Sequence, residues 1–434
     1  MSINFRNIAL FGAMALALIL TGMFQSWTLS LTIINMCLIS AIMALGVNIQ
    51  WGYAGLFNVG VMGFTAFGGL AAVLIAMPPV SEAWAAGGFG VLLGLMLGAA
   101  SILAAIMVWQ RMPPGKARVL ALIAVLVLGY TLTRLIFAPA ATAIMRVNPA
   151  TEGYLGGLGL PVVLSWPVGA LFAAGLAWMV GKIALGLRSD YLAIATLGIS
   201  EIVIAVLKFE GWLSRGVNNV SGIPRAVPRP VELQTRDWVQ DLATRFGFSN
   251  AEMASILEKL GYAFLFMLVL AVLIWLSEKA LNSPWGRMMR AIRDNETAAR
   301  AMGKDVTRRH LMVFVLGSGV CGLAGAMMVT LDGQLTPGSY EPLRYTFLIW
   351  VMVIVGGSGN NWGAVLGGFI IWFLWVQAEP AGRWFMDMIT SGLASDSLLR
   401  THLMTQAAHT RLIMMGLALL LMLRFAPRGL IPER

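Results

Sequence analysis

The chain has 434 residues, of which 59% are hydrophobic and only 12% charged, a balance that excludes an ordinary water-soluble enzyme and calls for the bilayer as solvent. Its net charge of +10 sits mainly in connections between apolar runs, where positive-inside bias and lipid headgroups account for it without nucleic acid. The two cysteines, Cys37 and Cys321, lie in apolar runs with no His or Cys at ligand spacing, so they read as packing residues and neither a disulfide framework nor a metal site is indicated.

Apolar runs occur at 8–24, 30–49, 54–76, 84–109, 119–137, 165–187, 190–208, 261–276, 311–331, 343–357, 360–377 and 410–425. They predict an all-α, polytopic transmembrane helical bundle of about 12 spans, a single transmembrane domain over 1–434. The first run follows Arg6 and lacks an A-x-A cleavage site, so it is expected to be retained. The stretch "GYAGLFNVGVMGFTAFGGL" (52–70) carries six glycines, which suit close helix packing or, alternatively, a partly unwound segment lining a pathway. Runs 261–276 and 343–357 are short of the ~20 residues of a straight span and must borrow flanking residues or be broken helices.

With twelve spans, Arg6, Arg111, Lys116, Arg118, Lys182, Arg188, the 279–310 connection, Arg424, Arg428 and Arg434 fall on one side, which holds 17 of the 30 Lys and Arg. That side is expected to be cytoplasmic, with both termini on it. The long 208–260 connection is then periplasmic. Gly211, Gly216, Gly222 and the prolines of "SGIPRAVPRP" predict irregular backbone there, followed by an amphipathic helix over 235–246 with Trp238, Leu242 and Phe246 on its apolar face. Ser249 and Glu252 form a capping-box pattern ahead of the next span. Asp332 and Glu341 flank a further outer loop, where a partner could touch but plain solvation is the simpler reading.

The cytoplasmic segment 282–310 has seven Lys and Arg against three acids between 287 and 310. Ser283 and Pro284 start a helix that carries Arg287, Arg290 and Arg293 on one stripe; Asn295 caps a second short helix, Glu296 suits its positive end, and Gly303 closes it. A short helix rich in alanine has a smooth face that can enter a groove on another protein. An ordinary positive-inside loop is the competing reading. "ETAARAMG" resembles the E-A-A-x-x-x-G element of ABC importer permeases, whose coupling helix seats in the ATPase subunit: Glu296, Ala298, Ala299 and Gly303 match, and Thr297 stands where the pattern has alanine.

The likeness extends to "GVNIQWGYAGLFNVG" (46–60), "RSDYLAIATLGISEIV" (188–203), "NNVSGIP" (218–224), "SPWGRMMRAIRDNETAARAMG" (283–303), "GLAGAM" (322–327), "VGGSGNNWGAVLGG" (355–368) and "APRGL" (426–430). In order and spacing these resemble the branched-chain amino acid ABC transporter permease family; residues 84–157 depart from it and look like an insertion of two helices. The resemblance implies a bacterial inner-membrane importer with a second permease subunit, two ATP-binding cassette subunits and a periplasmic substrate-binding protein. It also implies that Arg293, Glu296, Ala298, Ala299 and Gly303 couple to the ATPase. The chain has no G-x-x-x-x-G-K-[ST] phosphate loop, so a separate motor is expected and no cofactor of its own.

Glu201 lies eleven residues beyond Asp190, about 16 Å along a helix and hence near mid-bilayer. A charge there costs about 2.5–3.5 kcal/mol on insertion scales, so Glu201 is expected to face protein, be protonated or line water. It either meets a substrate ammonium transiently or joins two helices, with Thr196 and Gly198 beside it as candidate pathway residues. The segment "VGGSGNNWG" (355–363) reads as a tight turn or a hinge. His310, His402 and His409 are isolated, and no catalytic residues are expected. Rival readings are a permease for urea or short amides, an ion-coupled secondary transporter, and, more weakly, a membrane enzyme.

Overall fold

The computed structural model describes residues 5–392 and 397–433, so Arg434 lies outside the described residues. Ten helices are long and apolar enough to cross a membrane: α1 (Phe5–Phe24), α2 (Trp27–Ala54), α4 (Ser81–Arg111), α5 (Lys116–Arg146), α6 (Val162–Ala184), α7 (Ser189–Phe209), α9 (Asn250–Leu281), α12 (Val306–Asp332), α14 (Asn361–Thr390) and α15 (Leu398–Phe425). Two further apolar helices, α3 (Val61–Ala76) and α13 (Pro342–Gly356), have 16 and 15 residues. The remaining labels are α8 (Asp237–Phe246), α10 (Pro284–Asp294) and α11 (Glu296–Ala301).

Every predicted run holds a membrane helix, though the 54–76 run is helical only from Val61, and the two short helices reach only about 22–24 Å, less than the ~30 Å hydrocarbon core. The 261–276 run did borrow its flanks, because Ser249 and Glu252 start α9 well before the apolar stretch through a complete capping box. The 343–357 run did not.

α2 and α12 form the centre, and α3, α6, α9 and α14 pack around them. In a bilayer, helix association rests on close backbone approach, because lipid tails are as apolar as leucine. Small residues provide it here: a side chain at Gly325 would put its Cβ 1.9 Å from the Thr65 carbonyl, and one at Gly322 would lie 2.3 Å from Ala173 Cβ and 2.7 Å from the Gly169 carbonyl. α12 thus touches α3 and α6 through faces that have no room for a methyl group. Cys321 is buried in the same region, as a packing residue.

α4 and α5 form a hairpin that packs chiefly on itself, with Gly90 against Ala140, Gly94 against Phe137 and Gly129 against Ser101. It joins the bundle near one end only. There the return segment after α5 donates from Leu158, Gly159 and Leu160 N–H to the carbonyls of Leu74, Met77 and Ile75 at 2.9 Å, so it caps the last turn of α3.

The long connection before α9 is irregular, as its glycines and prolines predict, until Val220–Ser221 pairs antiparallel with Gln334–Leu335 beyond α12. α8 follows: Val239 and Ala243 are buried, whereas Trp238 and Phe246 are exposed. The smaller residues pack on α9 and the two large aromatics point away, as an interfacial helix would place them.

Gly322→Val is expected to destabilise the bundle by about 1–3 kcal/mol or more through overpacking against α6. The check is the thermal unfolding midpoint in detergent, with the exposed Gly416→Val on α15 expected to change little.

Candidate translocation site and coupling segment

Between α2 and α3 the backbone leaves the helical path. Gly55 adopts φ +69° and its N–H bonds to the Trp51 carbonyl, the left-handed glycine end of a helix, while the Leu56 N–H reaches back to the Gln50 carbonyl. The next residues, up to Gly60, are non-helical. Non-helical backbone inside a membrane protein must find partners within the protein, since no water is available in the hydrocarbon core.

Three side chains supply them, and a fourth, Gln50, holds Asn58 in place. Asn58 Nδ2 donates to Gln50 Oε1 at 2.8 Å while Asn58 Oδ1 accepts from the Gly60 N–H at 2.9 Å. Trp350 Nε1, on α13, donates to the Asn58 carbonyl at 3.0 Å, and Thr196 Oγ1, on α7, accepts from the Val59 N–H at 3.1 Å. Gln50 is held in turn by bonds from its Nε2 to Ser318 Oγ (3.1 Å) and the Phe314 carbonyl (3.3 Å) on α12. Around this network Trp51, Phe57 and Trp350 stack edge to face or tilted, with centroids 4.6–5.5 Å apart. The first turns of the two short helices meet beside it, where the Met62 N–H donates to Thr346 Oγ1 at 3.4 Å.

The structure separates the three expected pathway residues. Thr196 faces the bundle and is buried; Gly198 and Glu201 are on the exposed side of α7. Thr196 and Ser200 leave no room for a side chain at Gly60 and Gly63 of α3, so this side of α7 is fixed. Glu201 makes no ion pair or hydrogen bond among the described residues. It does not join two helices of this chain. Gln50, Asn58 and Trp350 escaped the sequence reading; the signal was a pair of amides eight residues apart in an otherwise apolar, glycine-rich stretch.

The 282–310 segment folds as its caps predict. Ser283 Oγ accepts from Trp285 and Gly286 N–H at 3.2 and 3.4 Å, Asn295 Oδ1 accepts from Ala298 N–H at 2.9 Å, and Gly303 turns at φ +74°. α10 buries Met289 and Ile292 against the body; α11 buries nothing and presents Glu296, Thr297 and Ala298 outward, with Ala299 half-buried at its base. Glu296 pairs with Arg300 at 2.6 Å along the helix.

Arg293 turns the other way. Its guanidinium donates to the Gly52 carbonyl at the end of α2, pairs with Glu433 at 2.8 Å and reaches Asp294 at 3.2 Å. Partial burial pulls its pKa down, but the hydrogen bonds and charges of Glu433 and Asp294 outweigh that and hold it above the usual value. The tail carrying Glu433 is itself laid along the loop after α13: Leu430 and Ile431 N–H donate to the Val355 and Gly356 carbonyls at 2.9 Å, and Asn360 Nδ2 to the Pro432 carbonyl at 3.2 Å. Gly359 N–H then donates to Asn48 Oδ1 at 2.8 Å, and Asn361 joins Asn48, Tyr53 and Glu278. One arginine therefore ties α10 to the end of α2 and to the turn between α13 and α14. It is an anchor beneath the projecting helix.

A family profile described as "branched-chain amino acid transport system / permease component" matches residues 117–423, well over half of the chain. The chain belongs to this permease family. Within it, the chain is 26% identical to the high-affinity branched-chain amino acid transport system permease protein LivM of Salmonella typhimurium over 279 residues, 64% of this chain and 58% of that protein. LivM of Escherichia coli matches over the same shares. A probable branched-chain amino acid transport permease protein LivH of Methanocaldococcus jannaschii is 27% identical over 58% of this chain and 75% of that protein. The chain thus spans a little under three fifths of the two LivM proteins it matches. No solved structure matches it. The family match begins inside the α4–α5 hairpin, so α5 falls within the matched residues and α4 before them.

Asn58→Leu is expected to strand the Gly60 N–H and Gln50 Oε1 inside the bundle at about 1–3 kcal/mol for each group. The readout is the unfolding midpoint in detergent, and Thr196→Val, which strands only the Val59 N–H, should lower it less.

Proposed function

We propose that this chain is the membrane-spanning subunit of an ATP-driven importer for branched-chain or related amino acids. It works with a second permease subunit, two ATP-binding cassette subunits and a periplasmic substrate-binding protein. The observation that carries the reading is α11, a capped helix of small residues that buries nothing and stands on an arginine-anchored base. A helix of this kind contributes nothing to its own bundle, so its sequence makes sense as a plug for another protein. With no phosphate loop of its own, the chain is a conduit and not an enzyme.

The connections of Arg293 suggest how force travels. Movement of α10 and α11 with the ATPase pulls on the end of α2 and on the turn between α13 and α14, the two ends from which the unwound segment and α13 hang. Those elements hold Asn58 and Trp350, so a shift at the cytoplasmic side is passed to the break in the membrane without unfolding any helix. In this reading α10, α11 and both termini are cytoplasmic.

Glu201 supports the second permease subunit. An unpaired carboxylate near mid-bilayer on an exposed helix face is costly in lipid, and a subunit interface containing water removes that cost. The pathway then runs between the two permeases along α7, with Gly198 giving close approach and Glu201 available to a substrate ammonium group. The converging first turns of α3 and α13 add the positive ends of two helix dipoles on the far side of Thr196, suited to a carboxylate.

Two results test the scheme. Copurification from cells expressing the full set of subunits should recover an ATPase with the native chain, and Gly303→Arg or Ala298→Trp should cut that recovery at least tenfold with membrane insertion unchanged. An unaltered complex in both variants would remove α11 as the contact. Glu201→Gln should leave the complex intact and reduce ATP-driven amino acid uptake severalfold; dissociation of the permease pair in this variant would make Glu201 an interface residue only. Uptake by the chain alone in liposomes, driven by an ion gradient, would favour the secondary transporter.

A further inference from the structure

A second recess lies on the outer side, away from the break between α2 and α3. It has a volume of about 560 Å³ and is walled by the first turns of α2, the outer third of α9, the end of α12 and the segment from Gly222 to Val231. No residue of α3, α7 or α13 lines it. The overlying segment is held by its strand pairing with Gln334–Leu335, by the bond from Ile223 N–H to the Gly333 carbonyl, and by the ion pair of Arg225 with Glu258, whose carboxylate is buried.

The charges in the recess are of both signs. Arg225 and Glu258 neutralise each other, which leaves Arg229 and Lys259 as cations and Asp332 as an anion, none with an ion pair among the described residues. The floor contributes Asn35, fully buried, whose Nδ2 donates to the Leu31 and Lys259 carbonyls at 3.0 and 2.9 Å while its Oδ1 has no donor. A simple anion would meet Asp332 and Glu258, and a simple cation would meet Arg225, Arg229 and Lys259. A molecule whose carboxylate and ammonium are attached to the same carbon satisfies both, and in a half-enclosed site those attractions are stronger than in open water. We propose that this recess binds a small zwitterion of the free α-amino acid type, at a site separate from the membrane-embedded break. Occupied, it would bridge the outer ends of α2, α9 and α12, the helices that frame the centre of the bundle.

The proposal rests on the amino acid reading only for its first probe, L-leucine. Binding of radiolabelled L-leucine to the full chain in phosphatidylcholine nanodiscs is expected to be saturable. It should be displaced by other neutral L-amino acids, but not by L-leucinamide, which lacks the carboxylate, or 4-methylpentanoate, which lacks the ammonium. Arg229→Gln and Asp332→Asn should each weaken it at least tenfold, with Arg229→Lys retaining part of the affinity. Absence of saturable binding, or indifference to both variants, overturns the proposal. So does loss on Glu201→Gln alone, which would put the ligand in the pathway. Affinity that collapses when phosphatidylethanolamine replaces phosphatidylcholine would assign the recess to a lipid headgroup and also overturn it. ATP-driven uptake by the assembled complex, measured in parallel, separates the two readings: uptake without this binding removes the recess alone, and binding without uptake supports the recess while removing the importer.

Discussion

The constraint on which this structure turns is that a short length of unwound backbone inside a membrane protein has to be hydrogen-bonded by the protein itself. The chain meets it between Gly55 and Gly60 with side chains drawn from α2, α7 and α13, and Gln50 is braced against α12. Besides Asn58, which lies in the break itself, the donors and acceptors come from different helices, so the break is also a point at which those helices are fixed to one another. A straight α2–α3 connection would remove the need for Asn58 and Gln50. It would also remove a place where the polar groups of four helices meet in a largely apolar interior.

Around that point the bundle is held by close backbone approach. α2, α3, α6 and α12 are in contact through glycines whose replacement would put a side chain inside a neighbouring backbone, and such faces have two choices, docked or apart. The turn between α13 and α14 is packed as closely, with a Cβ at Gly356 falling 2.0 Å from the Gly363 carbonyl, and it adds the buried amides of Asn48 and Asn361, the tail and Arg293. The base of α11 is thus tied to a rigid part of the bundle.

Local chemistry made much of this legible in the sequence. Apolar runs marked each membrane helix, and caps at Ser249, Ser283, Asn295 and Gly303 marked helix ends, because a cap acts within three or four residues of itself. The partners of the break were not legible: Asn58 and Thr196, or Asn58 and Trp350, are far apart in the chain and are joined only by the packing of α3 between them. Arg293 shows the same limit. Its spacing groups it with Arg287 and Arg290, yet the carbonyl of Gly52 and the carboxylate of Glu433 draw it inward.

The α4–α5 hairpin has so little contact with the rest that it could be taken for a detachable ornament. The return segment says otherwise. Residues 157–160 close the final turn of α3, giving its exposed carbonyls the partners that a helix ending near the membrane surface cannot forgo. The hairpin is thus free to vary in length, tilt and lipid-facing composition over most of its extent, whereas the few residues that follow it belong structurally to α3. Any chain of this kind that dispensed with the hairpin would have to keep, or reinvent, that short closing strap.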